Sequence, residues 1–124
     1  NVPIEAFPEP KFVNIRSEIS YTGLVIDCRG LNISTAIAPK IKSAGGVDVY
    51  AYKNVGYKNA VEKGMVKYTS DINSSRAGSS PLIVKAVSLD GTCDVIVSDE
   101  DANKILAANK LSNILSNCAV VLVR

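Results

Sequence analysis

The sequence predicts a small α+β domain, β-rich and built of hairpins in a mixed sheet or partly open barrel, with a capped helix and a closing strand near its C-terminus. Three observations carry this. Short runs of Val, Ile and Leu recur between Gly, Asp and Asn turns, as strands do. One segment, Ser98 to Leu106, switches to helical spacing behind a serine placed to cap it. The composition is 47% hydrophobic but only 6% aromatic and without Trp, so the core is aliphatic and suits thin strands packed on a helix.

The chain has 124 residues, which fits one domain able to bury a core without metal or disulfide staples. Pro3, Pro8 and Pro10 with acidic spacers make residues 1–15 a Pro-rich linker or leading segment, although a short strand from Phe12 to Ile15 would let it join the fold. Residues 16–124 then form the single α+β domain.

The most ordered block runs from Tyr21 to Ile41. Leu24, Val25 and Ile26 are β-prone; Asp27 and Arg29 project to one side of an extended chain with Cys28 between them, and Gly30 permits the turn that follows. Leu31 to Ala38 commits to neither period and reads as a loop or short strand before Pro39. Lys40–Ser43 and Val47–Tyr52 flank Ala44-Gly45-Gly46 and predict a hairpin with Tyr50 and Tyr52 on one face. Tyr57 to Gly64 makes a turn or two of helix stopped by its glycine, and Met65 to Tyr68 is extended. Thr69 to Ser80 is nearly all small and polar, which predicts an exposed loop without a packing role.

Leu82–Leu89 and Cys93–Val97 read as a second hairpin over the turn dipeptide Asp90-Gly91. Ser98 caps the helix, and Asp99, Glu100 and Asp101 complement its positive end. The helix is expected to end near Asn109 or Lys110, with Leu111, Ile114 and Leu115 packing beyond it and Ala119–Val123 closing the domain as a buried strand. Leu24, Ile26, Val84, Val95, Val97, Ile105, Leu106 and Val121 are expected to share one core.

Composition also excludes. The chain has no histidine, which removes the commonest general base and the usual ligand of zinc, copper and iron. The net charge is +2 with scattered basic residues, so no footprint for nucleic acid is present. Cys28, Cys93 and Cys118 lack any C-x-x-C spacing; Cys28 and Cys118 read as small buried hydrophobes, with a Cys28–Cys118 disulfide as the alternative. The longest apolar stretch is too short to span a bilayer. The chain begins at Asn1 rather than Met, in keeping with a removed signal peptide, anchor or preceding domain.

Few residues offer chemistry. Asp27 and Arg29 form either a structural ion pair or a polar site at a strand end. No pair of carboxylates stands out for glycoside hydrolysis, no nucleophile elbow is present, and Gly45-Gly46 and Arg76 to Ser80 do not match a phosphate cradle. The chain is therefore expected to be non-enzymatic, without a cofactor or metal site, and the residues available for binding are Tyr50, Tyr52, Asp27, Arg29 and Arg76. Tyrosine offers large contact area with a polar tip, which makes the Val47–Tyr52 strand or the Thr69–Ser80 loop the expected contact surface.

Tyr21-Thr-Gly-Leu-Val-Ile-Asp-Cys-Arg-Gly-Leu, Ala38-Pro-Lys-Ile, Val49-Tyr50, Gly64-Met-Val, Arg76-Ala-Gly-Ser-Ser-Pro-Leu-Ile-Val-Lys-Ala86 and Asp94-Val-Ile-Val-Ser together resemble a domain of bacterial outer-membrane lipoproteins that include the flagellar FlgP family. The resemblance covers residues 21–123 and departs at Cys28, where a small residue is expected. It implies a non-catalytic structural or interaction domain in the periplasm or outer membrane of a diderm bacterium. Its partners would be copies of itself or other envelope proteins, with membrane contact only through a removed anchor. A module binding glycan or peptidoglycan is the alternative.

Overall fold

Leu24, Val25 and Ile26 have no exposed surface at all, and neither do Val120 to Val123. An unbroken apolar run of this kind marks a strand covered on both faces, as parallel sheets are. In the computed structural model, which describes residues 4–10 and 20–124, these runs are β1 (Leu24–Asp27) and β8 (Val120–Val123). They pair in parallel at the centre of a four-stranded sheet, with β4 (Lys67–Thr69) beyond β8 and β5 (Leu82–Lys85) beyond β1. Every pairing in this sheet is parallel.

The second sheet is mixed. β2 (Ile41–Ser43) and β3 (Asp48–Tyr50) form the hairpin expected across Ala44-Gly45-Gly46, and β6 (Ser88–Asp90) and β7 (Asp94–Val97) form another across Gly91. A parallel β2–β7 pairing joins the two hairpins. The described residues thus form an α+β fold with two sheets and no closed barrel, and hairpins account for only part of it. Parallel neighbours cannot be joined by a tight turn, so β1, β5 and β8 are brought together by long excursions through the second sheet and the helices.

The run Leu82–Leu89 is accordingly not one arm of a hairpin. It divides between the sheets: Ala86 N–H donates to the Asp27 carbonyl, and the next residue, Val87, donates to Ile96. Apolar periodicity cannot mark that break, because Leu82, Val84 and Ala86 stay buried right up to it.

Helix α1 (Tyr52–Lys63) starts earlier than expected and is interrupted at Gly56, whose φ of 77° is outside the helical region. Gly64 ends it as anticipated. Helix α2 (Asp99–Ser112) has Ser98 as its cap, the Ser98 Oγ accepting from Asp101 N–H at 3.0 Å. It runs beyond Lys110 to Asn113, which takes the left-handed conformation usually left to glycine and donates its N–H to the Asn109 carbonyl. Buried Asn109 then anchors the next turn, its Oδ1 accepting from Leu115 N–H at 2.9 Å.

The main core lies between the inner face of the parallel sheet, the mixed sheet and α2. It contains Leu24, Ile26, Val84, Val95, Val97, Ile105 and Leu106, but not Val121. Val121 is in register with Val25, so the two-residue period turns both to the opposite face, where they pack with Val123, Ala77 and Ile72. This second cluster corrects the reading of Thr69–Ser80 as a loop without a packing role. Its short 3-10 turn, Ser75–Ala77, is the lid of the outer face. Gly23 allows it to close, since a Cβ there would lie 2.6 Å from the Ala77 Cα and 2.7 Å from the Ala119 carbonyl oxygen.

Residues 4–10 form neither helix nor strand and rest against the domain. The strand considered at Phe12–Ile15 lies outside the described residues.

Two substitutions check this layering by urea unfolding. Ile26→Ala, in the inner core, is expected to cost about 2–5 kcal/mol. Gly23→Ala, which adds one methyl against backbone that has no rotamer to change, is expected to cost about 1–3 kcal/mol or more.

Candidate interaction surfaces

Asp27 and Arg29 are an ion pair. Arg29 Nε donates to Asp27 Oδ1 and Nη2 to Oδ2, each at 2.9 Å, and the Arg29 backbone N–H adds a bond to Oδ1 at 3.1 Å. The last strand residue of β1 and the first turn residue are thereby clamped together. The Arg29 side-chain and backbone hydrogen bonds hold the Asp27 carboxyl far below the usual carboxylate range.

Tyr50 and Tyr52 do not share a face. β3 ends at Tyr50, which is fully buried and donates its hydroxyl to the Met65 carbonyl at 2.7 Å. Burial and the neighbouring Cys118 thiol push that hydroxyl far up. Tyr52 belongs to α1 and is 43% exposed. The chain changes from strand to helix at Ala51, so the strand period that would align the two tyrosines ends between them. Among the described residues the most exposed aromatic is Tyr57, at 72%. Its signal was present in the sequence: Tyr52-Lys53-Asn54 recurs as Tyr57-Lys58-Asn59 on either side of the glycine that breaks the helix.

Arg76 is spent on the fold, its Nε donating to the Cys118 carbonyl at 2.8 Å and its Nη2 to the Gly64 carbonyl. It ties the lid over the outer face to the ends of α1 and the α2–β8 connection. Tyr68 similarly pins the loop after β1, its hydroxyl accepting from Ala36 N–H at 3.0 Å. All three cysteines are unpaired; Cys28 and Cys118 are buried and Cys93 is partly exposed. Burial, reinforced by the Asp27 charge, pushes the Cys28 thiol up to about 11, so it remains protonated and unreactive at neutral pH. The described residues bring together no group of His, Cys, Asp and Glu able to hold a metal.

What remains open is a groove of about 400 Å³ between the β2–β3 hairpin, α2 and the segment Pro8–Glu9. Val47, Val49, Ala102 and Leu106 form its apolar walls, and Asp99 and Glu100 stand at one end. Asp99 is already engaged, accepting from Gly45 N–H at 2.9 Å, which locks the hairpin tip to the helix start. The volume falls in the ~300–1,000 Å³ range of ligand sites. Its polar lining is Glu9, Ser43, Asp99, Glu100 and Asn103, of which Ser43 accepts from the Val47 N–H at 3.0 Å and Glu9 pairs with Lys110. Of the expected binding residues none lines it; Val47, from the expected strand, does. No sequence signal announces the groove, because its three walls are far apart in the chain.

The family model of the second domain of Treponema pallidum Tp0624 matches residues 23–124. The chain belongs to this family. The Tp0624 second-domain match begins at the glycine that admits the lid and continues through β8, so it takes in both sheets and both helices. No curated protein matches the chain. No helix among the described residues is long and apolar enough to cross a membrane.

Two measurements check the local chemistry. A carboxyl depressed by folding contributes stability above the unfolded value of about 4, and that contribution is lost as pH falls through the folded value. Asp27→Asn is therefore expected to flatten the loss of urea stability between about pH 5 and pH 2, relative to the parent. Thiol titration with an aromatic disulfide reagent is expected to label Cys93 first, with Cys28 and Cys118 reacting only on unfolding, and the melting midpoint should not move with reductant.

Proposed function

We propose that this domain works by contact rather than turnover, as a non-enzymatic structural or interaction domain of a bacterial cell-envelope protein. Packing against copies of itself or other envelope components is its role in this reading, and a flagellum-associated outer-membrane lipoprotein related to FlgP is the more specific form. One observation carries it. Of the expected binding side chains, Asp27, Arg29, Tyr50 and Arg76 are engaged within the fold, whereas the open surface is a largely apolar groove with Val47 exposed in its wall, and Tyr52 is exposed on α1. A fold that commits its polar groups internally and leaves an apolar concavity is suited to receiving a partner. The resemblance of its sequence blocks to envelope lipoproteins motivates the setting, and membership in the Tp0624 second-domain family agrees with a bacterial modular protein.

The exposed pair Val47 and Tyr52 and the buried Tyr50 separate contact from folding. Val47→Ser with Tyr52→Ser is expected to leave the urea midpoint near that of the parent and to weaken self-association in sedimentation and cross-linking to envelope proteins. Tyr50→Ala, by contrast, is expected to cost about 3–5 kcal/mol, because the ring is core. A parent protein that stays monomeric at every concentration and cross-links to nothing in the envelope would overturn the contact reading.

A further inference from the structure

Residues 4–10 occupy a slot whose own features are arranged to receive them. Ile4 lies over Gly56, where a Cβ would come within 3.0 Å of its side chain. Glu5 N–H donates to the Lys53 carbonyl at 2.8 Å. Phe7 stacks on Tyr50 with ring centroids 6.3 Å apart and planes within 6°. Pro8 and Glu9 continue as one wall of the apolar groove, and Glu9 pairs with Lys110 at 2.6 Å.

Two parts of this slot are hard to explain without an occupant. Asn54 is 3% exposed; its Oδ1 is held by Ala51 N–H at 3.0 Å, which fixes the amide group so that Nδ2 faces the arm. Nδ2 donates to the Glu5 carbonyl at 3.2 Å and the Ala6 carbonyl at 3.3 Å. Withdraw the arm and this pre-oriented donor loses the two carbonyls it is aimed at and must turn to water instead. Gly56 meanwhile breaks α1 at the one place where Ile4 needs room.

We infer that this slot is a binding site for an extended, Pro-flanked aromatic peptide, and that its occupant in an assembly is the Ile4–Pro10 arm of a second copy of this chain. The inference rests on the contact reading above and names the partner. A second copy carries the identical Ile-Glu-Ala-Phe-Pro-Glu-Pro segment, so every contact made by the chain's own arm is available to the neighbour's. Pro8 and Pro10 hold the arm near its bound extended shape, which lowers the ordering cost of binding between molecules. Reciprocal exchange closes a two-fold dimer; exchange in one direction propagates a chain of domains.

The test uses the full chain and a labelled Ile4–Pro10 peptide followed by fluorescence anisotropy. Phe7→Ala vacates the slot, and the folded variant is expected to bind the peptide at least about tenfold more tightly than the parent, whose own arm competes. The same peptide with Ala for Phe7 is expected not to bind. Should Phe7→Ala fail to fold, Glu5→Lys with Glu9→Lys weakens the arm through exposed charges alone, and the same gain in peptide binding is expected. No binding to a folded arm-weakened variant overturns the inference. In sedimentation, excess peptide is expected to convert parent oligomers into monomers; oligomers indifferent to peptide overturn arm exchange while leaving the contact reading in place.

Discussion

The β1–β8 pair is buried on both faces, and nearly every other feature follows from that burden. A parallel pair of Val, Ile and Leu strands stabilises the fold only if water is kept from each side. The inner side is covered by the mixed sheet and α2. Among the described residues no α-helix covers the outer side, and the polar segment after β4 serves instead, seating Ala77 and Ile72 on Val25, Val121 and Val123. Gly23 is the geometric condition for this arrangement, because any side chain there would hold the lid away from the sheet.

Such a lid has little apolar surface of its own, so polar groups fasten it. Thr22 donates its hydroxyl to the Ala77 carbonyl at 2.6 Å and accepts from Ser80 N–H at 2.9 Å. Arg76 reaches across to the carbonyls of Gly64 and Cys118. These bonds meet the backbone acceptors at the ends of three different segments, where an unmet carbonyl would be costly. The same economy governs Asp27, Tyr50 and Asn109, each of which closes a junction between elements. Groups that look available for chemistry in the sequence are thus the stitching of a fold whose strands are only three or four residues long.

The N-terminal arm belongs to a different layer of organisation. It adds no strand to either sheet, yet it finds a stacking partner in Tyr50, a fixed amide in Asn54 and a gap at Gly56. The slot and the groove are continuous through Pro8 and Glu9, so the arm fills one end of a longer channel and leaves about 400 Å³ beside it. The proposed contact function and the proposed arm exchange would therefore use one continuous surface.

The local elements were legible because their signals are local. Ser98 and its three following acids mark α2, Gly45-Gly46 marks the β2–β3 turn, Gly64 stops α1, and the alternation of Asp27 and Arg29 about Cys28 sets up their ion pair. Tertiary structure alone decided that Leu82–Leu89 divides between two sheets, that Val121 faces away from Ile105, that Tyr50 is core while Tyr52 is surface, and that the polar loop is a lid. Each of these depends on which strand lies beside which, and parallel pairing joins segments distant in sequence, so no window of neighbouring residues contains the information.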